Sequence, residues 1–304
     1  MNRIYKYSEL NLAGLRKLKP GRTICLMAVS PLEVHGPHLP LGTDILIAEK
    51  LQMEYCRAIQ QRHPNFDLLL LPTLSAGGDP LPLEGSIAVG ARTLEKLLVA
   101  YVHSLSRLGF RYLIICDNHG GPSHQMAMEI AARKAWRRHR FALINPFNVV
   151  YRKMVQHDQS FLQLVQLTPG KCGDNADAHA GTNETSLALS AGISPCAEFR
   201  NLPPARIPKA AGLSALVGFA AAILGRLGLT GAKADLEHLK NMLAWINNPD
   251  AQTYLGQPAL ADPGMGDRMI KGHVAVAMDL LETALAGEKP CTRPMLWWMR
   301  AFRK

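Results

Sequence analysis

The sequence predicts an α/β fold built on a mainly parallel sheet, and two observations predict it. Short apolar runs alternate with long stretches that carry apolar residues at helical spacing, the order expected of strands and crossover helices. Two of these runs enclose Cys25 and Cys116 among apolar neighbours, as strands covered on both faces do.

In order, strands are predicted at residues 23–29, 68–72, 112–116 and 141–144, with helices at 44–61, 93–108 and 123–138 between them. The leucine run 68–71 is too short and too uniformly apolar for an amphipathic helix, and Pro72 closes it. After Asn145-Pro146 the pattern loosens into loops around Gly170 and Gly173, then resumes with a short helix at Glu184. Pro203, Pro204 and Pro208 make 196–209 an irregular connection, and a last helix is expected over 271–285. The whole chain, 1–304, reads as one catalytic domain, with 196–270 as a helical insertion that serves as a lid or an oligomer contact.

Composition narrows the function class. With 48% hydrophobic and 19% charged residues the chain can fill a core and is not a disordered one. The net charge of +10 gathers partly in basic runs at 133–140 and 297–304, which read as a solvated helix face and a tail. No nucleic-acid recognition motif accompanies them, so no nucleic-acid partner is expected. The six cysteines, Cys172 among them, lack paired spacing and read as reduced thiols, and the first residues lack a leader pattern, so a cytoplasmic protein is expected. The apolar segment 210–225 falls short of a spanning helix and is rich in small residues. A buried helix, an oligomer contact or a flexible lid is expected there, and no membrane.

Three blocks carry chemistry. In Glu33-Val34-His35-Gly36-Pro37-His38, Glu33 and His35 share a face of extended chain, and the turn at Gly36-Pro37 folds Asp44 back toward them. Asp117-Asn118-His119-Gly120-Gly121 ends a strand, where paired glycines let backbone approach a ligand. Asp177-Ala178-His179 with Glu184 sets ionisable groups beside small residues at a helix start. Read singly, each has a plain structural account: a capped helix, a turn with a histidine, and an acidic first turn.

Read in order, the pattern E-x-H-G-x-H-L-P-x-G-T-D over 33–44, then N-H-G-G over 118–121, then H-A-G-x-x-E-T-S over 179–186, resembles the creatininase (creatinine amidohydrolase) family. The resemblance runs from about residue 23 to 190, with Leu83 to Ile87 where the family has a Pro-Gly-Thr loop and a weaker closing pattern from Gly256 to Gly272. It implies a three-layer sandwich with helices flanking the sheet, and a homo-oligomer, commonly a hexamer. It also implies two divalent ions, zinc, manganese or iron, bridged by Asp44: one completed by Glu33 and His119, the other bound by His35. Creatininase has a glutamate two residues after the elbow histidine, where this chain has Gly121; Glu184 is the replacement ligand we expect. His179 is expected to pass a proton to a leaving nitrogen, Asp177 to orient it, and His38 to support the ligands.

The expected activity is hydrolysis of a C–N bond in a small amide, cyclic amide or formamide. Gly121, and Val34 where the family has glutamine, argue against creatinine. The alternatives are a metal-dependent lactonase or a hydrolase of a peptide bond in a modified peptide, and a non-catalytic assembly protein with a basic tail that contacts nucleic acid or membrane.

Overall fold

A computed structural model of the chain describes residues 3–167 and 177–302. The loops expected around Gly170 and Gly173, and Cys172, lie outside the described residues; the other five cysteines are free thiols.

The strands are β1 (Ile4–Lys6), β2 (Thr23–Ser30), β3 (Asp67–Leu70), β4 (Leu74–Ser75), β5 (Tyr112–Cys116) and β6 (Ala142–Ile144). They run in the order β1-β3-β2-β5-β6, with β4 paired to the end of β2, and every ladder is parallel. Helices α1 (Leu12–Lys17), α2 (Thr43–Arg62), α3 (Ala91–Arg107), α4 (Pro122–His139), α5 (Phe147–Val155) and α6 (Gln159–Leu164) belong to the first half. After them come α7 (Thr182–Ser190), α8 (Leu213–Arg226), α9 (Thr230–Ile246) and α10 (Pro263–Leu285).

Why β2 is apolar throughout is visible in its two faces. Ile24 and Leu26 pack with Ile47, Leu51 and Tyr55 of α2 and with Leu281 of α10. Cys25, Met27 and Val29 pack with Leu94 and Leu98 of α3 and Ala131 of α4. Alternate side chains therefore enter two separate cores, and the sheet is the middle layer of an α/β three-layer sandwich. Burying each such aliphatic side chain stabilises the fold by about 1.5–3 kcal/mol.

The structure departs from the sequence reading at several places. Residues 147–164, expected as loop, form α5 and α6; the break between them is a left-handed His157 (φ 52°) followed by Asp158, whose side chain caps α6. α10 begins at Pro263, eight residues before the expected 271, because Asp262 accepts from Met265 N and the proline occupies the first turn. Of the three readings of 210–225, the buried helix is excluded: α8 packs on α9 and leaves Leu213, Leu216 and Phe219 exposed by 63%, 68% and 69%. No helix among the described residues is long and apolar enough to cross a membrane. The basic run on α4 is partly engaged at home, with Arg133 ion-paired to Glu129 and lying 4.8 Å over the Trp297 ring.

Candidate metal centre

β2 and β5 are adjacent and parallel, with β2 running two residues past the pair Ala28 and Cys116, so the loops that follow them open over the same edge of the sheet. The loop after β2 carries Glu33 and His35, then turns through Gly36 at φ 63° and delivers Asp44 into the first turn of α2. A β-carbon at Gly36 would lie 2.6 Å from His38 Nδ1, so a side chain there is excluded by space as well as by φ. The loop after β5 brings His119, and the first turn of α7 brings Glu184.

All five side chains converge. Glu33, Asp44 and His119 form one group whose ligand atoms lie within 4.8 Å of one another, and His35, Asp44 and Glu184 form a second, with Asp44 common to both. A third group on the same spot joins Glu33, His35 and His179. His119 Nδ1 stands 3.0 Å from Glu33 Oε2 and 3.3 Å from Asp44 Oδ2. His35 Nε2 stands 3.6 Å from Asp44 Oδ1 and 3.4 Å from Glu184 Oε2.

The other ring nitrogens settle which tautomer each ring takes when neutral. His119 Nε2 is 3.0 Å from the Gly78 carbonyl, and His35 Nδ1 is 2.9 Å from the Glu33 carbonyl. A carbonyl only accepts, so each of these nitrogens donates, and the opposite nitrogen of each neutral ring turns a lone pair toward carboxylate oxygens. Lone pairs facing anions repel unless a cation stands between them. In keeping with this, His35 Nε2 and both oxygens of Asp44 are buried without a hydrogen-bond partner. Carboxylate and imidazole donors suit zinc, manganese or iron, so the residues fit divalent ions.

Electrostatics agrees. Burial pulls His35 and His119 down, but the charges of Glu184 and Asp44 on the first and of Glu33 and Asp44 on the second hold both well above the ordinary imidazole range. Burial pushes Asp44 up, and His35 and His119 outweigh it, leaving the carboxyl well below its usual range. Without metal, protons take the place of the cation. His38, by contrast, is pushed down to about 4 by burial and by His35, and its Nε2 lies 3.0 Å from Thr185 Oγ1.

Two backbone amides and one side-chain amide hold the carboxylates in place. Leu81 N donates to Glu33 Oε1 at 2.6 Å; Ala180 N and Asn118 Nδ2 donate to the two oxygens of Glu184 at 2.6 and 2.8 Å. His179 donates from Nε2 to the Val34 carbonyl at 2.8 Å, which leaves Nδ1 facing Glu184 Oε2 at 3.8 Å. Val34 thus holds one edge of the His179 ring, and Asp177 Oδ2 accepts from Asn183 N in the first turn of α7. Above the centre lies a cavity of about 530 Å³ onto which Glu33, Asp44, His119, His179 and Glu184 open; α9 and the last residues line its far side. The sequence reading missed this wall, since α9 carries no motif, and missed Asn118, which sits inside a motif it did use.

Parallel sheet, crossover helices and a buried carboxylate–histidine cluster at the strand ends define an α/β protein with a candidate metal centre. The model of the creatininase family, described as creatinine amidohydrolase, matches residues 8–281. The chain belongs to the creatininase family. It is 32% identical over 129 residues to the mycofactocin precursor peptide peptidase of Mycolicibacterium smegmatis, a match covering 41% of this chain and 50% of that one. With the creatinine amidohydrolase of Pseudomonas putida it shares 26% identity over 184 residues, 57% of this chain and 66% of that one. The chain thus spans about half the length of the peptidases it matches. Among solved structures, a Bacteroides fragilis protein classed with the creatinine amidohydrolases superposes with a TM-score of 0.60 at 19% identity, over 96% of this chain and 98% of that one. A manganese creatininase gives 0.58 at 18%, over 91% and 97%.

Proposed function

We propose that this chain is a metal-dependent hydrolase that holds two divalent ions, zinc, manganese or iron, and cleaves a C–N bond in an amide. The observation that carries the reading is the pair of ligand groups sharing Asp44, with each histidine's lone pair aimed at carboxylates. Glu33 and His119 would hold one ion, His35 and Glu184 the other, and Asp44 both. Ions held there lower the pKa of water and polarise the scissile carbonyl. His179, its Nε2 proton committed to Val34, has only Nδ1 free for proton transfer. It takes a proton from the attacking water at that atom and gives it to the nitrogen as the C–N bond breaks, which leaves a carboxylic acid and an amine.

Creatinine is not the substrate we favour. A β-carbon at residue 121 would lie 2.4 Å from His119 Nε2 and 2.7 Å from the Gly78 carbonyl, so the glutamate of creatininase has no room there. A peptide bond in a modified peptide is the second reading, favoured by the 32% identity to the mycobacterial peptidase. The exposed Leu213, Leu216 and Phe219 of α8 support a homo-oligomer, checked by light scattering of the native chain beside Phe219→Asp.

The test is metal analysis and hydrolysis of a panel of amides, formamides, lactones and peptides before and after Asp44→Ala. Loss of both ions and of turnover is expected; unchanged metal content would refute the shared ligand.

A further inference from the structure

We propose that the substrate is an uncharged amide carrying a bulky apolar group, which occupies a preformed vault over the metal centre. This rests on the hydrolase reading above and adds what the substrate must look like.

A cavity of about 530 Å³ accommodates a ligand far larger than a simple amide. Its floor is polar, formed by Glu33, Asp44, His119 and Glu184, while its walls are mostly apolar, interrupted by Asn241, Asn247 and His238. Met154 comes from α5; Leu239, Met242 and Leu243 come from α9; Met299 comes from the final turn. Thioethers are unbranched and polarisable and mould to an apolar guest, so this wall favours hydrocarbon or aromatic surface without demanding one shape. A small polar substrate would leave it uncovered and wet.

The walls are tied together. Arg152 on α5 donates to the carbonyls of Arg293 and Pro294 at 2.8 and 2.6 Å and stands 3.4 Å from Asp235 of α9, so one guanidinium joins three segments. Tyr151 stacks on Phe147 at 5.5 Å and meets His238 edge-on at 5.6 Å, with its hydroxyl 3.5 Å from His238 Nε2. Burial pushes His238 down to about 4, so this wall histidine is neutral. A vault fixed by such contacts loses little ordering entropy when filled.

Charge selects in the same direction. The chain has 34 lysines and arginines, yet among the described residues none lines the cavity, whereas Glu33, Asp44, Asp79, Asp177 and Glu184 do. An anionic group seated in the walls would be stripped of water with no guanidinium or ammonium to receive it.

Calorimetry on the metal-loaded full chain tests this with three probes: acetamide, 2-naphthylacetamide, and 2-naphthylacetamide bearing a carboxylate on its distal ring. The neutral naphthyl probe is expected to bind at least about tenfold tighter than either of the others, and Met242→Trp or Leu239→Trp to weaken it by about tenfold. Affinities of the three probes within about threefold of one another, or a charged probe as tight as the neutral one, would overturn the proposal. The outcome separates from that of the hydrolase reading. Correct affinity order without cleavage of any amide sinks the hydrolase and leaves the vault; cleavage without the affinity order does the reverse.

Discussion

Gly121 and His119 are in mutual exclusion: His119 Nε2 occupies the space that any side chain at residue 121 would need, with a β-carbon placed only 2.4 Å away. The same nitrogen is bonded to the Gly78 carbonyl, so it cannot move aside without freeing the ring from the tautomer that faces Glu33 and Asp44. Restoring the creatininase glutamate by Gly121→Glu is therefore expected to lose metal and to destabilise the chain by about 1–3 kcal/mol. Metal analysis and urea unfolding check it, and creatinine turnover in a fully loaded variant would contradict it.

The two ligand groups are separable on one side. Glu184 belongs to the group of His35 and Asp44 and is absent from that of Glu33, Asp44 and His119. For the proposed two-ion centre, Glu184→Gln should lower the metal content to one ion per chain, while turnover falls by at least about a hundredfold, on the order of 3 kcal/mol of transition-state stabilisation. Retention of both ions would assign the second ion to other ligands, of which His179 is the neighbour at hand.

Metal and protons compete for His35 and His119. In the metal-free protein both imidazoles are held above their ordinary range by the facing carboxylates, against burial. Their protonated forms supply the cationic partner, so this contribution to metal-free stability is complete below the unfolded imidazole pKa. It fades as the pH climbs through the raised folded values. Metal needs the neutral rings, so its affinity should rise with pH until above the usual imidazole range, with protons released on binding. Titration calorimetry in buffers of different ionisation enthalpy measures that release; binding with no proton release at neutral pH would count against the protonated metal-free centre.

How much of this was legible in the residues differs by region. Runs such as 112–116, apolar because both faces of the sheet are covered, announce the strands, and the three motif blocks announce the five side chains that meet. The approach of those blocks to one point came from the resemblance, since spacing within a block says nothing of distance between blocks. α5 and α6 were hidden because each is short, and their separation at His157 depends on a left-handed residue that no glycine marks. The vault was hidden for another reason: Leu239, Met242 and Leu243 on α9 look like any helix face packed on a core, and only the fold shows that they face a cavity. Gly121 was legible as a departure, but its cause is the Gly78 carbonyl, a backbone group contributed from far along the chain.

Gly266 makes a last prediction on which the position of Glu184 depends. It lies in α10 against α7, and a β-carbon there would sit 2.1 Å from the Ser186 carbonyl oxygen, backbone that cannot swing away. Ser186 is two residues beyond Glu184; its hydroxyl donates to the Thr182 carbonyl at 2.6 Å and accepts from Asp262 N at 3.0 Å, which locks the two helices. In an exposed helix Gly→Ala stabilises by about 0.4–1 kcal/mol through the unfolded chain, as expected for Gly231 in α9, where a β-carbon would meet nothing within 4 Å. At Gly266 the clash should win, with a loss of about 1–3 kcal/mol and weaker binding of one ion as α7 is pushed outward. Urea unfolding of the two alanine variants side by side gives opposite signs if the close approach of α10 fixes α7. A stabilised Gly266→Ala would mean that the helices slide apart freely and that Glu184 is held by Asn118 and Ala180 alone.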